Sequence, residues 1–316
     1  MPSAISIRGV DKTLGSTRAV RALDLEVPRG SICGFLGPNG AGKSTTIRMI
    51  MSIIYPDRGA IEVLGGSALE SKDRIGYLPE ERGLYRKMRV GKFLEYIGRL
   101  KGLDSDTLTK RVKNGLERVM LPDVAHKRCQ ELSKGMQQKV QFLTAMIHEP
   151  ELLILDEPFA GLDPVNALLL SDLIRERQAS GTTIVFSTHM LHQAEQICDR
   201  IFLINHGNKL LDAAMPEIYE RFDPRTILVE PIDADPEFGN VSGVARVHRH
   251  RASGRLEIEV KEGVDRQQVM RSLIASAPLR SLHLRRLSLD EVFVRLVGED
   301  EGADAAETAR KKLSHA

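Results

Sequence analysis

No run of apolar residues in this sequence approaches the roughly 18 needed for a helix that crosses a bilayer, which excludes a helical membrane span of its own. Cysteine is scarce. Cys33, Cys129 and Cys198 are odd in number, widely separated and outside any C-x-x-C pair. That pattern excludes a disulfide framework and a cysteine-based zinc site, and leaves three small hydrophobes for the interior. An excess of one charge is missing too: 45 Lys and Arg face 43 Asp and Glu, a formal charge of +2. Near-neutrality provides no electrostatic case for nucleic acid or an anionic membrane surface. Two basic clusters, His248-Arg249-His250-Arg251 and Arg310-Lys311-Lys312, interleave no aromatics for base stacking, so no nucleic-acid partner is expected. The first reads as a solvated hairpin tip between two strand-like runs, the second as part of a charged tail from Glu299 onward. The N-terminus lacks the basic-then-apolar layout of a secretion signal, so a cytosolic chain is expected, and any membrane role has to come through a protein partner.

What is present is a chain of 316 residues with 42% hydrophobic content, enough for two domains and a packed core. The first thirty residues alternate apolar and polar positions (Ile5, Ile7; Leu23, Leu25, Val27), as antiparallel strands do. Leu84 to Gln130 shows helical periodicity instead, with Val90, Phe93, Leu94, Ile97 and Leu100 on one face. Short β-rich runs follow at Leu152 to Leu155, Thr182 to Ser187, Ile201 to Asn205 and Lys209 to Leu211, mostly separated by helical stretches. The middle of the chain therefore reads as α/β with a largely parallel sheet, whose ligands sit at the carboxyl ends of the strands. Prolines at 216, 224, 231 and 236 break the pattern and place a domain boundary near 220. A small α+β domain is expected beyond it, and residues 299–316 are expected to be a charged tail, mobile or helical.

The chemistry starts at Gly37-Pro38-Asn39-Gly40-Ala41-Gly42-Lys43-Ser44-Thr45, a G-x-x-x-x-G-K-S loop after the apolar run Ser31 to Leu36 and before a helical pattern. Its glycines let successive N–H groups face one concavity, and the helix start adds positive potential, which together suit a polyphosphate. Lys43 is expected at the β- and γ-phosphates, Ser44 on Mg²⁺, and Thr45 on a peripheral phosphate oxygen. The strand Leu152 to Leu155 ends in Asp156-Glu157. Asp156 is expected to hold Mg²⁺, and Glu157 to take the proton of the water that attacks the γ-phosphorus. His189 ends another strand and is placed to hydrogen-bond the γ-phosphate; His192 nearby makes no metal site, since no further soft ligand accompanies the pair. No Asn-Lys-x-Asp guanine motif appears, which disfavours a generic GTPase.

In order and spacing, these segments with Leu132-Ser133-Lys134-Gly135-Met136-Gln137-Gln138 and Gly161-Leu162-Asp163 resemble the nucleotide-binding subunits of ABC transporters over residues 4–215. Gly76-Tyr77-Leu78-Pro79-Glu80-Glu81-Arg82-Gly83-Leu84-Tyr85 and Ser288-Leu289-Asp290-Glu291-Val292-Phe293 resemble an export-type branch related to sodium and drug efflux ATPases, to about residue 298. The resemblance implies a P-loop ABC ATPase core at 1–219 with an antiparallel β subdomain and a helical insert at about 84–147, then an α+β accessory domain at 220–298. It implies Mg-dependent ATP hydrolysis in a head-to-tail dimer, as a homodimer or with a paired ABC subunit, on the cytoplasmic side of the membrane. Ser133 and Gly135 would meet the γ-phosphate of the opposite copy, Asp163 would couple the two sites, and a separate integral-membrane permease would dock near Glu80.

Three departures from the family pattern stand out. Leu14 occupies the usual adenine-stacking aromatic position, Lys134 and Met136 replace the commoner Gly and Gln, and Glu80 stands where Gln is usual. Glu80 is still able to ligate Mg²⁺, but it donates no hydrogen bond and its charge opposes the γ-phosphate. Two alternatives remain open: a soluble ABC ATPase acting on ribosomes or DNA, and a nucleotide-gated binding module without hydrolysis. A single cassette with about 90 residues between Lys43 and Leu132 weighs against the first; intact Lys43, Asp156, Glu157 and His189 weigh against the second.

Overall fold

A computed structural model describes residues 3–81, 83–232, 237–249 and 254–313, which divide into two compact units, Met1–Met215 with Leu296–Ala316 and Pro216–Arg295. Arg82, Pro236, His250, Arg251 and the end of the tail at 314–316 lie outside the described residues, as do the side chains of Lys311 and Lys312.

In chain order the first unit runs β1 (Ser3–Leu14), β2 (Thr17–Pro28), β3 (Ile32–Leu36), α1 (Lys43–Ile50), β4 (Arg58–Val63) and β5 (Ile75–Leu78). It continues with α2 (Val90–Leu100), α3 (Ser105–Arg118), α4 (Lys134–Met146), β6 (Leu152–Asp156), α5 (Pro164–Ala179), β7 (Thr183–Thr188), α6 (Leu191–Ile197), β8 (Arg200–Asn205) and β9 (Asn208–Ala214). Strands β3, β6 and β7 are buried along their whole length, which explains the apolar runs they contain: a parallel sheet is covered on both faces. They lie in a six-stranded sheet of order β5-β6-β7-β3-β8-β9, parallel except for β9. The half-exposed alternation of β2 belongs instead to an antiparallel layer of order β2-β1-β4. The main core joins the two sheets around α1 through Ile5, Val10, Phe35, Ile47 and Phe202.

Helices α2, α3 and α4 pack on one another as the helical insert. Their starts follow local chemistry. Asp104 caps α3 by accepting from the Asp106 and Thr107 N–H groups, and Ser133 caps α4 by accepting from Met136.

The second unit contains most of α7 (Met215–Arg221), then β10 (Thr226–Pro231), β11 (Val244–Arg249), β12 (Leu256–Val260), α8 (Arg266–Ser276), β13 (Leu279–Leu284) and the start of α9 (Leu289–Glu301). Its antiparallel sheet has the order β11-β12-β10-β13, and Ile227, Val229, Ile258, Val269 and Leu273 form a core of its own. The end of α9 and all of α10 (Ala303–Leu313) count with the first unit, where Asn205 Nδ2 donates to Glu301 Oε1 at 2.8 Å. The charged tail from Glu299 is therefore helical as far as Leu313, with a break at Gly302, whose φ is 95°.

Candidate active site

Register decides which residues meet. In the sheet Leu36 pairs with Thr188 and Asp156 pairs with Ser187, so Gly37, Glu157 and His189 leave the sheet at the same edge. Gly37 to Thr45 wraps from β3 into α1. A Cβ on Gly37 would lie 2.1 Å from the Ile204 carbonyl oxygen, and one on Gly42 would lie 2.4 Å from that of Ala19. With φ at 152° and 107°, both positions are closed to other residues, so the loop's path against the neighbouring backbone depends on glycine. Ala41 N–H donates to the Pro38 carbonyl, and the Thr46 hydroxyl to that of Gly42, which fixes the turn into α1.

Lys43 is 6% exposed. Its ammonium donates to the carbonyls of Gly37 at 2.8 Å and Pro38 at 3.2 Å and lies 3.9 Å from Glu157 Oε1. Burial pushes its pKa down, opposed by the negative charges of Glu157, Asp156 and Glu80. The Glu80 contribution locates that carboxylate within electrostatic reach of the loop. Ser44 Oγ reaches Asp156 Oδ1 at 3.3 Å, and the Ser187 hydroxyl bonds the same oxygen. Glu157 sits at φ 48°, and its Oε1 meets His189 Nδ1 at 2.9 Å. The structure thus brings Lys43, Ser44, Asp156, Glu157 and His189 together, with Glu80 nearby. Pro38, Ser44 and Thr45 are half-buried, and Asn39 and Gly40 are exposed.

Ser133, Gly135 and Asp163 form a separate group. Ser133 is exposed and Gly135 half-buried at the start of α4; Asp163 is exposed and caps α5 through the Asn166 N–H at 2.9 Å. The Asn166 hydrogen bonds hold the Asp163 carboxyl below its ordinary range. A buried cation ties the two helix starts together: Lys139 Nζ donates to Asn166 Oδ1 at 3.0 Å, and Asn166 Nδ2 to Asp163 Oδ2 at 2.6 Å. Beside Asp163, Val165 and Leu168 are 69% and 60% exposed, an apolar face with no cover among the described residues. Leu14, at the end of β1, is likewise exposed.

Several contributors were given no role by the motifs. Gln141, buried on α4, donates to the carbonyls of Pro79 and Glu81 and so holds the segment that carries Glu80. Lys139, Asn166 and Ser187 were missed as well. Ser187 shows in sequence as a polar residue at the end of an apolar strand run but acquires its partner only through topology; Lys139 and Asn166, on helices that carry other polar residues, leave no such signal.

Residues 20–160 match the family model described as ABC transporter, and residues 215–297 match the model described as ATP-binding protein DrrA1-3-like, C-terminal domain. The chain is 37% identical over 295 residues to the uncharacterized ABC transporter ATP-binding protein YhaQ of Bacillus subtilis (strain 168), covering 93% of this chain and 98% of that protein. It is 33% identical over 301 residues to the Nod factor export ATP-binding protein I of Rhizobium sp. (strain N33), covering 94% and 98%. Among solved structures, an ATP binding subunit of an ABC transporter superposes with a TM-score of 0.65 at 30% identity, over 70% of this chain and 93% of that one.

Proposed function

The chain belongs to the ABC transporter ATP-binding family as an exporter-type ATP-binding subunit, and from that premise we propose that it hydrolyses Mg²⁺·ATP in a head-to-tail dimer to drive export through a separate membrane permease. The observation that carries this reading is the cluster at the phosphate loop of buried Lys43, Asp156 and Glu157 with half-buried His189.

In this reading the N–H groups of Gly37 to Thr45 receive the β- and γ-phosphates. Lys43 exchanges its two loop carbonyls for phosphate oxygens, having been held at the loop beforehand. Ser44 and Asp156 fit a Mg²⁺ site: they present hard oxygens 3.3 Å apart, and Mg²⁺ commonly takes one or two protein ligands with substrate phosphates and water. Glu80 is a third candidate, through water. The ion, when bound, neutralises charge on the phosphates. Glu157 accepts the proton of the attacking water, oriented by His189. His189 Nδ1 faces Glu157, which leaves the other ring nitrogen for the γ-phosphate.

The opposite copy's Ser133, Gly135 and α4 start would complete the γ-phosphate site. The exposure of Ser133, Asp163, Val165 and Leu168 supports such a contact. Leu14 offers the adenine an apolar surface in place of a stacking ring. The permease docks near Glu80 and selects the cargo, and the chain works at the cytoplasmic face of the membrane; among the described residues no helix is long and apolar enough to cross one.

The test is light scattering of Glu157→Gln with Mg²⁺ and ATP, run beside a nucleotide-binding measurement. A dimer that forms only with ATP is the expected result. A monomer with ATP bound at saturation would rule out the two-copy site in the isolated protein.

A further inference from the structure

Ser187 is fully buried in β7, directly across from Asp156 in the parallel register. Its hydroxyl donates to Asp156 Oδ1 and accepts the Glu157 N–H at 3.2 Å. The Ser187 carbonyl accepts that same N–H at 3.2 Å. A hydroxyl has one proton and two lone pairs, so both bonds form at once with a fixed polarity: proton to Asp156, lone pair to Glu157. Glu157 adopts φ 48°, a left-handed conformation that a non-glycine residue keeps only where its surroundings impose it. Asp156 is 1% exposed, so its carboxylate depends on donors from within the fold.

The geometry points to Ser187 as a positioning residue for both acids, setting how strongly this chain holds a divalent cation beside bound nucleotide. Ser44 and Ser187 donate to the same oxygen of Asp156. With the Ser187 proton fixed there, Ser44 is free to turn its lone pairs to a cation without leaving a buried carboxylate undersupplied. Without it, Asp156 recruits the Ser44 hydroxyl and competes with the cation for that ligand. On the other side, Ser187 pins the Glu157 amide at the turn that presents the carboxylate to His189. This rests on the proposed reading of Asp156 as cation holder and Glu157 as base. A hydroxyl that only satisfied a strand end would leave cation affinity untouched.

The experiment uses the full chain with Mn²⁺ as probe, titrated into ATP-loaded protein and followed by the electron paramagnetic resonance of free Mn²⁺. ATP affinity in EDTA and steady-state kcat and KM are measured alongside. Ser187→Ala is expected to weaken Mn²⁺ binding about tenfold, the scale of a lost hydrogen bond to a charged group. It should lower kcat more than it raises KM and leave ATP affinity in EDTA within about twofold of wild type. Ser187→Thr, which keeps the hydroxyl, should restore most of the Mn²⁺ affinity. Ser187→Cys, close in size but a weak donor, should behave like alanine and serves if the alanine protein fails to fold. Wild-type Mn²⁺ affinity in the alanine or cysteine variant, beside a large loss in Asp156→Asn, would overturn the role of Ser187 alone. Unchanged Mn²⁺ affinity in Asp156→Asn would instead overturn the reading of Asp156 and this inference with it.

Discussion

Two sets of residues, both given phosphate contacts in the proposed mechanism, occupy the first unit, and they are built on opposite plans. Lys43, Asp156 and Glu157 are buried, and each is already bonded to the loop or to a neighbour in the cluster. Ser133 and Asp163 stand exposed at helix starts, each bonded to groups of its own helix, with Val165 and Leu168 exposed beside them. Charges taken out of water have to be partnered within the chain, so the first set arrives assembled. A helix start leaves unpaired N–H groups, and an uncovered apolar face leaves area for another molecule, so the second set is a surface. On the proposed reading, the contrast teaches that one copy carries the hydrolytic half complete and offers the other half outward. The proposed head-to-tail pairing uses that division.

The most severe break in this comparison is Glu157→Gln. We expect kcat to fall about a thousandfold, within the range for loss of a general base, with ATP affinity changed only a few-fold. Turnover above a tenth of wild type would mean that the buried cluster is not the hydrolytic half. Next comes pH, which separates loss of the fold from loss of the site. His148 Nε2 meets the Ile75 carbonyl at 3.1 Å, at the amino end of the sheet and not at the phosphate edge. Burial, helped by the positive charges of Lys101 and Arg111 and opposed by the bond to the Ile75 carbonyl and by Asp73, pushes its pKa down from 6.5 to about 4. Between those values the unfolded chain binds a proton that the folded chain refuses. Stability is therefore whole above 6.5 and declines as pH falls towards 4, by about 3 kcal/mol at most. Urea melts at pH 7 and pH 4.5 should show about 2 kcal/mol less acid sensitivity in His148→Gln than in wild type, since pH 4.5 stops short of the full shift; equal sensitivity would contradict it.

Ser133→Ala tests the exposed set. A lost γ-phosphate donor should cost about ten- to a hundredfold in turnover, while removal of the α4 cap costs about 1 kcal/mol of stability and nucleotide binding by the monomer persists. A lower melting temperature with unchanged turnover would reduce Ser133 to a cap. The smallest effect is expected from Glu80→Gln. Removing a negative charge near Lys43 should tighten ATP binding by about two- to fivefold, measured by calorimetry, and unchanged affinity and turnover would remove Glu80 from the site.

Legibility followed the range of the interactions. Strand β3 with its loop and α1, the Asp156-Glu157 strand end and the β1–β2 hairpin were all readable, because each expresses itself within about ten neighbouring residues. Strands β4 and β5 were not singled out; β4 is mostly exposed and so has no apolar run, β5 has only four residues, and each pairs with a distant partner, β1 for the former and β6 for the latter. The Lys139–Asn166–Asp163 link spans α4 and α5, and Gln141 reaches back to Pro79 and Glu81. Neither leaves a local pattern, since a buried Lys or Gln looks in sequence like any exposed helix residue. The end of α9 and α10 show a related limit: their residues read as a charged tail, whereas Asn205, far off in sequence, accounts for the contact made by Glu301.

By itself, then, the sequence determined which chemistry this protein is equipped for, because a G-x-x-x-x-G-K-S loop, a strand ending in two acids and a strand ending in histidine carry their roles in covalent order. Tertiary structure alone decided how those groups hold one another. The pairing of Asp156 with Ser187 is made by parallel strands whose connection runs through α5, and no spacing rule in the chain reports which residues such a crossover sets side by side. It also decided which polar groups are buried and which are offered outward, since burial depends on what the rest of the fold brings over each residue.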